Sequence, residues 1–435
     1  MLVEKKKILF SFVILILLIT AIYGINTQPK NEEFFKSCGY IILIIDCFLA
    51  VRNRHNIMLF FIYTMMLYFN FSFMYDLYFM ENPYLIVFYN AFSNDIILGK
   101  GIYMMLIFST ILLGFDLLSD NNFEQIKSNF FIKKENKNLI ISWGLFLIAL
   151  VSGSIWWQFF EYSGAVLIIA LYYSGNNRVF KIVVTIYIVY IFILLNIQGM
   201  RVPGLCFPII LIFMMYPEFV NYKYIIVGIV VAIIFMSYSG LYTDTDGRAT
   251  ILDGIDKLKS SAGALDTCQF SYMSSQIGIK VADDILSLSE RLDYFIRFLK
   301  SQVVLSSKSI QFCKMCKITR QFYTHYDGQF MPHTFYFYLG WFGVVLSGFF
   351  VGWYLKLIKM LKENSKPVVT ILSIWCIAML PKWYLYEPNA LLKGSLFILL
   401  LYWLSLIFNN VIRKNGNYSK KVKYINNSKG ELLNE

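Results

Sequence analysis

The chain has 435 residues, of which 58% are hydrophobic and only 15% charged, with a mean hydropathy of +0.58. That composition excludes an ordinary soluble domain. The net charge of +12 sits in short segments between apolar runs and forms no continuous basic face, which excludes a nucleic-acid partner.

Apolar runs of about 17–20 residues recur along the chain and read as membrane-spanning helices. Alternating ten-residue segments of an outer-membrane barrel are absent. Lys5–Lys7 precede a first run, Ile8–Tyr23, which lacks a small-residue cleavage site and reads as a retained helix. Further runs span Gly39–Val51, Ile57–Met80, Gly101–Leu118, Leu139–Trp156 and Phe160–Tyr173. The next are Ile182–Ile197, Val202–Tyr216 and Tyr224–Tyr238. After a long polar interval come Thr334–Leu357, Val368–Leu380 and Leu391–Phe408, and then a basic tail expected to be disordered.

The expected fold is therefore an all-α polytopic membrane protein of about 12 transmembrane helices. Residues 1–240 carry nine spans, 241–333 form one large loop, 334–408 carry three spans, and 409–435 are the tail. The termini, the tail and the even-numbered connections hold 22 Lys/Arg, against six in the short odd-numbered connections. By the positive-inside rule both termini face the cytoplasm and the loop faces outward.

The loop carries 11 Lys/Arg and 10 Asp/Glu. Within it, Ile285, Leu288, Leu292, Ile296 and Leu299 recur at spacings of three and four, predicting an amphipathic helix over Asp284–Leu299 that lies on the membrane or caps the bundle. Asp293 and Arg297 stand four apart on it and read as an exposed ion pair. Asp244-Thr-Asp246-Gly247 is a turn rather than a calcium loop, because no Glu follows at the twelfth position. Cys313-Lys-Met-Cys316 has no usual zinc spacing, and a disulfide from Cys268 to Cys313 or Cys316 is the expectation. No metal or other cofactor is implied.

Arginines are scarce, nine against thirty lysines, so their positions carry information. Arg201 lies between two spans, Arg248 just beyond a span end, and Arg320 near the far root of the loop with His325, Asp327 and His333. Titratable groups gathered at a helix mouth are costly in lipid unless solvated or used. Trp156, Trp157, Trp383, Tyr384 and Tyr386 read as an interfacial aromatic belt.

Gly340-Trp-Phe-Gly343, opening a span after a long loop, resembles the Phe-Gly-x-x-Gly element of Wzy-type O-antigen polymerases, with Leu339 in place of Phe. Gly199-Met200-Arg201 resembles the Gly-Ser-Arg element of that family, with Met in place of Ser. The layout of many spans and one late outer loop is similar as well. The resemblance implies a fold like the GT-C glycosyltransferases and an enzyme, inverting and metal-independent, that joins undecaprenyl-diphosphate-linked oligosaccharide repeats outside the membrane. A chain-length regulator and a flippase are the partners it implies, besides the bilayer.

On that reading Arg201, Arg248 and Arg320, in that order, are candidates to hold the diphosphate, because guanidinium matches phosphate geometry. His333 is the first candidate general base for the acceptor hydroxyl, with His325 and Asp327 as alternatives and Glu161 and Glu387 behind them. The rival readings are an O-antigen ligase and a lipid-linked oligosaccharide flippase. Of the intramembrane charges that a flippase would use, the chain offers Asp46, Asp76 and Asp116.

Overall fold

A computed structural model describes residues 2–28, 30–79, 95–119, 137–154, 160–175, 177–216, 220–245, 247–261, 263, 265–303, 314–323, 327–361 and 366–431. They form helices and no strands. In chain order these are α1 (Leu2–Thr27), α2 (Glu32–Arg52), α3 (Ile57–Phe79), α4 (Asp95–Leu118), α5 (Leu139–Ser154) and α6 (Phe160–Tyr172). Then come α7 (Arg178–Ile197), α8 (Arg201–Met215), α9 (Tyr222–Asp244), α10 (Ile251–Ser260), α11 (Asp266–Asp284) and α12 (Leu288–Val303). The last six are α13 (Met315–Thr319), α14 (Met331–Leu339), α15 (Trp341–Lys359), α16 (Pro367–Ala378), α17 (Leu380–Leu385) and α18 (Asn389–Glu431).

Eight of these are long and apolar enough to cross a membrane, namely α1, α2, α3, α4, α7, α9, α15 and the first part of α18. The chain is a polytopic helical membrane protein. Its exterior is apolar, the inverse of a soluble protein. On α7, Ile182, Ile186, Val189 and Ile193 are exposed while Val184, Ile188, Ile191 and Leu195 are buried on the facing side. Both stripes are aliphatic, so the buried side is chosen by packing and not by polarity. Four shorter apolar helices, α5, α6, α8 and α16, coincide with the remaining expected spans.

Helices α1 to α4 pack together with α15, and α5 to α8 pack with α16 and α18. Between them stand Trp375 of α16 with Trp383 and Tyr384 of α17, all fully buried. Trp383 and Tyr384 are thus core residues, not the belt residues expected. Each donates its polar proton inside the bundle, the Trp383 indole to the Cys376 carbonyl at 2.8 Å and the Tyr384 hydroxyl to Asn70 at 2.8 Å. Trp156 and Trp157 lie outside the described residues.

The long loop is not a separate outer piece. Helix α11 enters the bundle and packs on α3, α4 and α14. Tyr272 stacks on Phe73 with centroids 4.7 Å apart, and the Tyr68 hydroxyl donates to the Gly263 carbonyl at 2.7 Å. The segment shows no helical apolar stripe because it is buried on nearly every side, through small residues. Its serines return their protons to the preceding turn, Ser271 to Thr267 and Ser275 to Ser271, each at 2.8 Å.

The predicted amphipathic helix is cut differently. α11 ends at Asp284, Ile285–Ser287 turn the chain, and α12 starts at Leu288. Ser287 and Glu290 cap that start reciprocally, the Ser287 backbone donating to Glu290 at 2.8 Å and the Glu290 backbone to the Ser287 hydroxyl at 3.4 Å. The Ser-x-x-Glu spacing is the sequence signal for this boundary. The basic tail, expected disordered, continues α18 as helix to Glu431. A membrane helix supplies its nucleus, and no proline interrupts it.

Gly340 joins α14 to α15 at φ 63°, ψ −149°, a conformation open essentially to glycine. A Cβ at Gly343 would run into the Phe335 carbonyl oxygen of α14, on the other side of the elbow. Both glycines of Gly340-Trp-Phe-Gly343 therefore have a structural reason. Gly340→Ala is expected to cost about 1–3 kcal/mol from backbone strain. Gly343→Ala, which moves backbone, should cost at least as much. Thermal unfolding of the detergent-solubilised variants checks both, and unchanged midpoints would contradict the elbow's tightness.

Candidate functional site

The site is built at the end of the bundle that carries residues 245–333, here the loop end. Gly199, at φ 74°, turns the chain from α7 into α8, so that Arg201 is the first residue of α8. Its guanidinium lies over Gly240 of α9, where a Cβ would collide with it. Nη1 donates to Asp266 Oδ1 at 3.0 Å and more weakly to the Met236 carbonyl at 3.4 Å. The other Asp266 oxygen accepts from Lys257 Nζ of α10 at 3.0 Å. Asp266 opens α11, so its carboxylate also faces a helix N-terminus and accepts the Thr267 N–H at 2.6 Å. Burial pushes this carboxyl up, but Arg201 and Lys257 outweigh burial and hold it below the usual carboxylate range.

A second group adjoins it. Arg320 Nη2 meets Asp327 Oδ1 at 2.9 Å, with Asp327 half exposed. Lys314 pairs with Glu387, which also accepts from the Asn389 amide at 3.2 Å. Burial pushes Glu387 up, yet Lys314 and Lys382 bring it below its ordinary value. Lys382 is itself buried in α17, and burial lowers its ammonium against the pull of Glu387.

Tyr386 connects the two groups. Burial raises its phenol, Arg201 lowers it, and Asp327 and Asp266 raise it again, so all three lie within electrostatic reach of one ring. Among the described residues the cations Arg201, Lys257, Lys314, Arg320 and Lys382 outnumber the carboxylates Asp266, Asp327 and Glu387. Such a surface suits an anionic ligand, with fixed donors already oriented by their own partners. Among the described residues only Nη1 of Arg201 is engaged, leaving Nε and Nη2 for a ligand.

The expected site residues divide. Arg201 and Asp327 both lie within electrostatic reach of Tyr386, and Arg320 joins them through its ion pair with Asp327. Arg248 lies apart, exposed in the turn after α9 that Gly247 forms at φ 85°. His325 and the Glu161 side chain lie outside the described residues. Cys316 is a free thiol held between the Gly328 carbonyl and the Gln329 side chain, 3.3 Å from each, so it does not pair with Cys268. The alternative partner Cys313 lies outside the described residues.

His333 is placed where a base for an external substrate cannot work. It is fully buried beneath the site, with Nε2 3.1 Å from the Gly101 carbonyl. That acceptor requires the tautomer protonated on Nε2. Burial pushes the imidazole down to about 3, against the upward pull of this hydrogen bond. The unfolded chain binds this proton near 6.5, and the folded chain not until about 3. The neutral histidine thus contributes stability that is present above pH 6.5 and lost as pH falls from there toward 3. His333→Gln, which keeps a donor for Gly101, should flatten this part of the acid limb. Melting temperatures of both proteins across that range check it, and parallel curves would contradict it.

Asp266, Lys257 and Tyr386 were not legible as site residues. Asp266 lies 65 residues from Arg201 in the chain, and only the packing of α11 brings it there. The chain matches no family model, no curated protein and no solved structure.

Proposed function

We propose that the chain is a polymerase of undecaprenyl-diphosphate-linked oligosaccharide repeats, of the Wzy type, with 12 spans, a GT-C-like core, cytoplasmic termini and the loop end facing outward in a bacterial inner membrane. The observation that supports it most is the cation cluster around Arg201, preorganised by Asp266 at the end of a membrane bundle, where a lipid carrier's diphosphate would lie. In the reaction proposed, the acceptor sugar hydroxyl attacks the anomeric carbon of the growing chain. The bond from that carbon to the diphosphate breaks, and its electron pair leaves with the diphosphate. Arg201, with Lys257 on the same carboxylate, stabilises the charge that develops there. The hydroxyl proton passes to a carboxylate, and Asp327 is the solvent-reachable base of the site in place of His333.

A second reading, the flippase, draws on one observation. Asp46 is buried within α2, and among the described residues its carboxyl meets the Asn70 amide at 2.6 Å and no cation. Such a group inside a span is what a transporter would use. Deleting the gene and separating surface polysaccharide on a gel distinguishes the two. Loss of the ladder with one repeat kept on the lipid core fits the polymerase. Loss of all polysaccharide from the core fits a flippase or a ligase and refutes it.

A further inference from the structure

The aliphatic stripe of α12 is one motif that the proposed chemistry does not use, and among the described residues nothing covers it. Leu288, Leu292, Ile296, Leu299 and Val303 are all exposed, Leu288 to 65% and Val303 to 78%. The stripe is not the face by which α12 is attached. That face is formed by Arg291, Phe295, Phe298 and Gln302. At roughly 100° per residue the two faces stand about a quarter-turn apart. A third face, farther round, carries Glu290, Asp293, Arg297 and Lys300, and there Arg297 Nη2 pairs with Asp293 at 2.6 Å.

The attachments fix how the helix lies. Near its start, Arg291 donates from Nε to the Phe337 carbonyl at 2.8 Å and from Nη2 to the Tyr336 carbonyl at 2.6 Å. These are last-turn carbonyls of α14, immediately before the span α15 begins at Trp341. At its end, Gln302 donates to the Asn389 side chain at 2.6 Å, and Asn389 is the first residue of the span α18. Between them Phe298 packs on Tyr338 with centroids 5.1 Å apart. The helix thus bridges the starts of two spans, roughly 16 Å apart along its axis. Both spans start at the loop end, so α12 runs along the membrane surface and not away from it.

We infer that α12 is an interfacial helix whose aliphatic stripe is buried in the acyl chains of the lipid leaflet at the loop end. Three faces at these angles match the three media at that level: protein behind, lipid below, water and headgroups above. The stripe is also continuous in character with the exteriors of the spans it joins, where Phe342, Leu346 and Phe349 of α15 and Leu396, Leu400 and Trp403 of α18 are exposed. Lys300 and Arg297 lie where lipid phosphates would meet them. Arg291, an expected anion-binding type by residue, is committed to capping α14, so the lipid-seated helix holds the α14–α15 elbow at a set depth.

The test uses the intact chain in vesicles of phosphatidylethanolamine and phosphatidylglycerol containing a phospholipid with an acyl-chain diazirine. After illumination, adducts are mapped by mass spectrometry. Adducts are expected on Leu292, Ile296 and Leu299, at yields within a few-fold of those on Phe342 and Phe349 of the same molecules, and not on Glu290 or Asp293. Labelling of α15 without α12 would overturn the inference. So would labelling of α12 in pure lipid vesicles that disappears in native membranes, because a protein partner would then own the stripe.

Discussion

Arg201→Ala is expected to remove the long-chain polysaccharide ladder in cells that still make the protein. The loss in polymerisation should be about 10²–10³-fold, the scale of deleting one preorganised donor at a site of developing charge. Arg201→Lys should fall between, since a point charge replaces a fork of donors. Arg201 also neutralises Asp266, so the alanine variant leaves a part-buried carboxylate with Lys257 as its remaining cation among the described residues. The double variant Arg201→Ala with Asp266→Asn removes that stress. If it regains the wild-type melting temperature but not the ladder, the arginine acts on substrate. If it regains both, Arg201 is an internal counter-ion and the clamp assignment fails. Gly240→Ala offers a milder probe, because its methyl group displaces the guanidinium without deleting it. About a tenfold loss is expected from such a misplacement.

Asp116→Ala is expected to destabilise the fold by about 3–5 kcal/mol. Its carboxylate is buried at the end of the bundle opposite the proposed site. It accepts from Arg52 Nε at 2.8 Å, Asn53 Nδ2 at 3.0 Å and Lys359 Nζ at 2.9 Å. Lys359 is nearly inaccessible, so removing the carboxylate takes an anionic partner away from a buried ammonium. The cluster ties α2, α4 and α15 together. Thermal unfolding in detergent should show the loss, whereas Asp116→Asn should lose less, because an amide oxygen still accepts. A midpoint for Asp116→Ala within a degree or two of wild type would show that the cluster is not structural.

These two residues stood out in different ways before folding was considered. Asp116 appeared only as an intramembrane charge near a span end, and a transporter would have used it. Its three partners, from α2, the α2–α3 turn and α15, make it a clasp instead. Arg201 stood out because arginine is rare here and because it follows Gly199 at a span start. The structure sets the Asp266–Lys257 pair beside it and Tyr386 within electrostatic reach, and the proposed clamp role rests on these neighbours. His333 went the other way. In the sequence it is the best-placed base, beside Gly340-Trp-Phe-Gly343. In the fold it faces Gly101 of α4 and is fully buried.

What the sequence by itself determined is the membrane class, the all-helical fold and the place of the long spans, because apolar length is a local property read directly by lipid. The elbow glycines and the capping box at Ser287 are short-range geometry too, although the apolar period by itself put the start of that helix at Asp284. Tertiary structure alone decided which polar residues work together. Helix α11 has no apolar periodicity because serines and other small residues pack it on all sides, so its course through the bundle, and with it the delivery of Asp266 to Arg201, follows from contacts between residues far apart in the chain. The same holds for the stripe on α12: its period was visible from the start, but only the anchors at Tyr336, Phe337 and Asn389 show which side of the helix the protein leaves for the membrane.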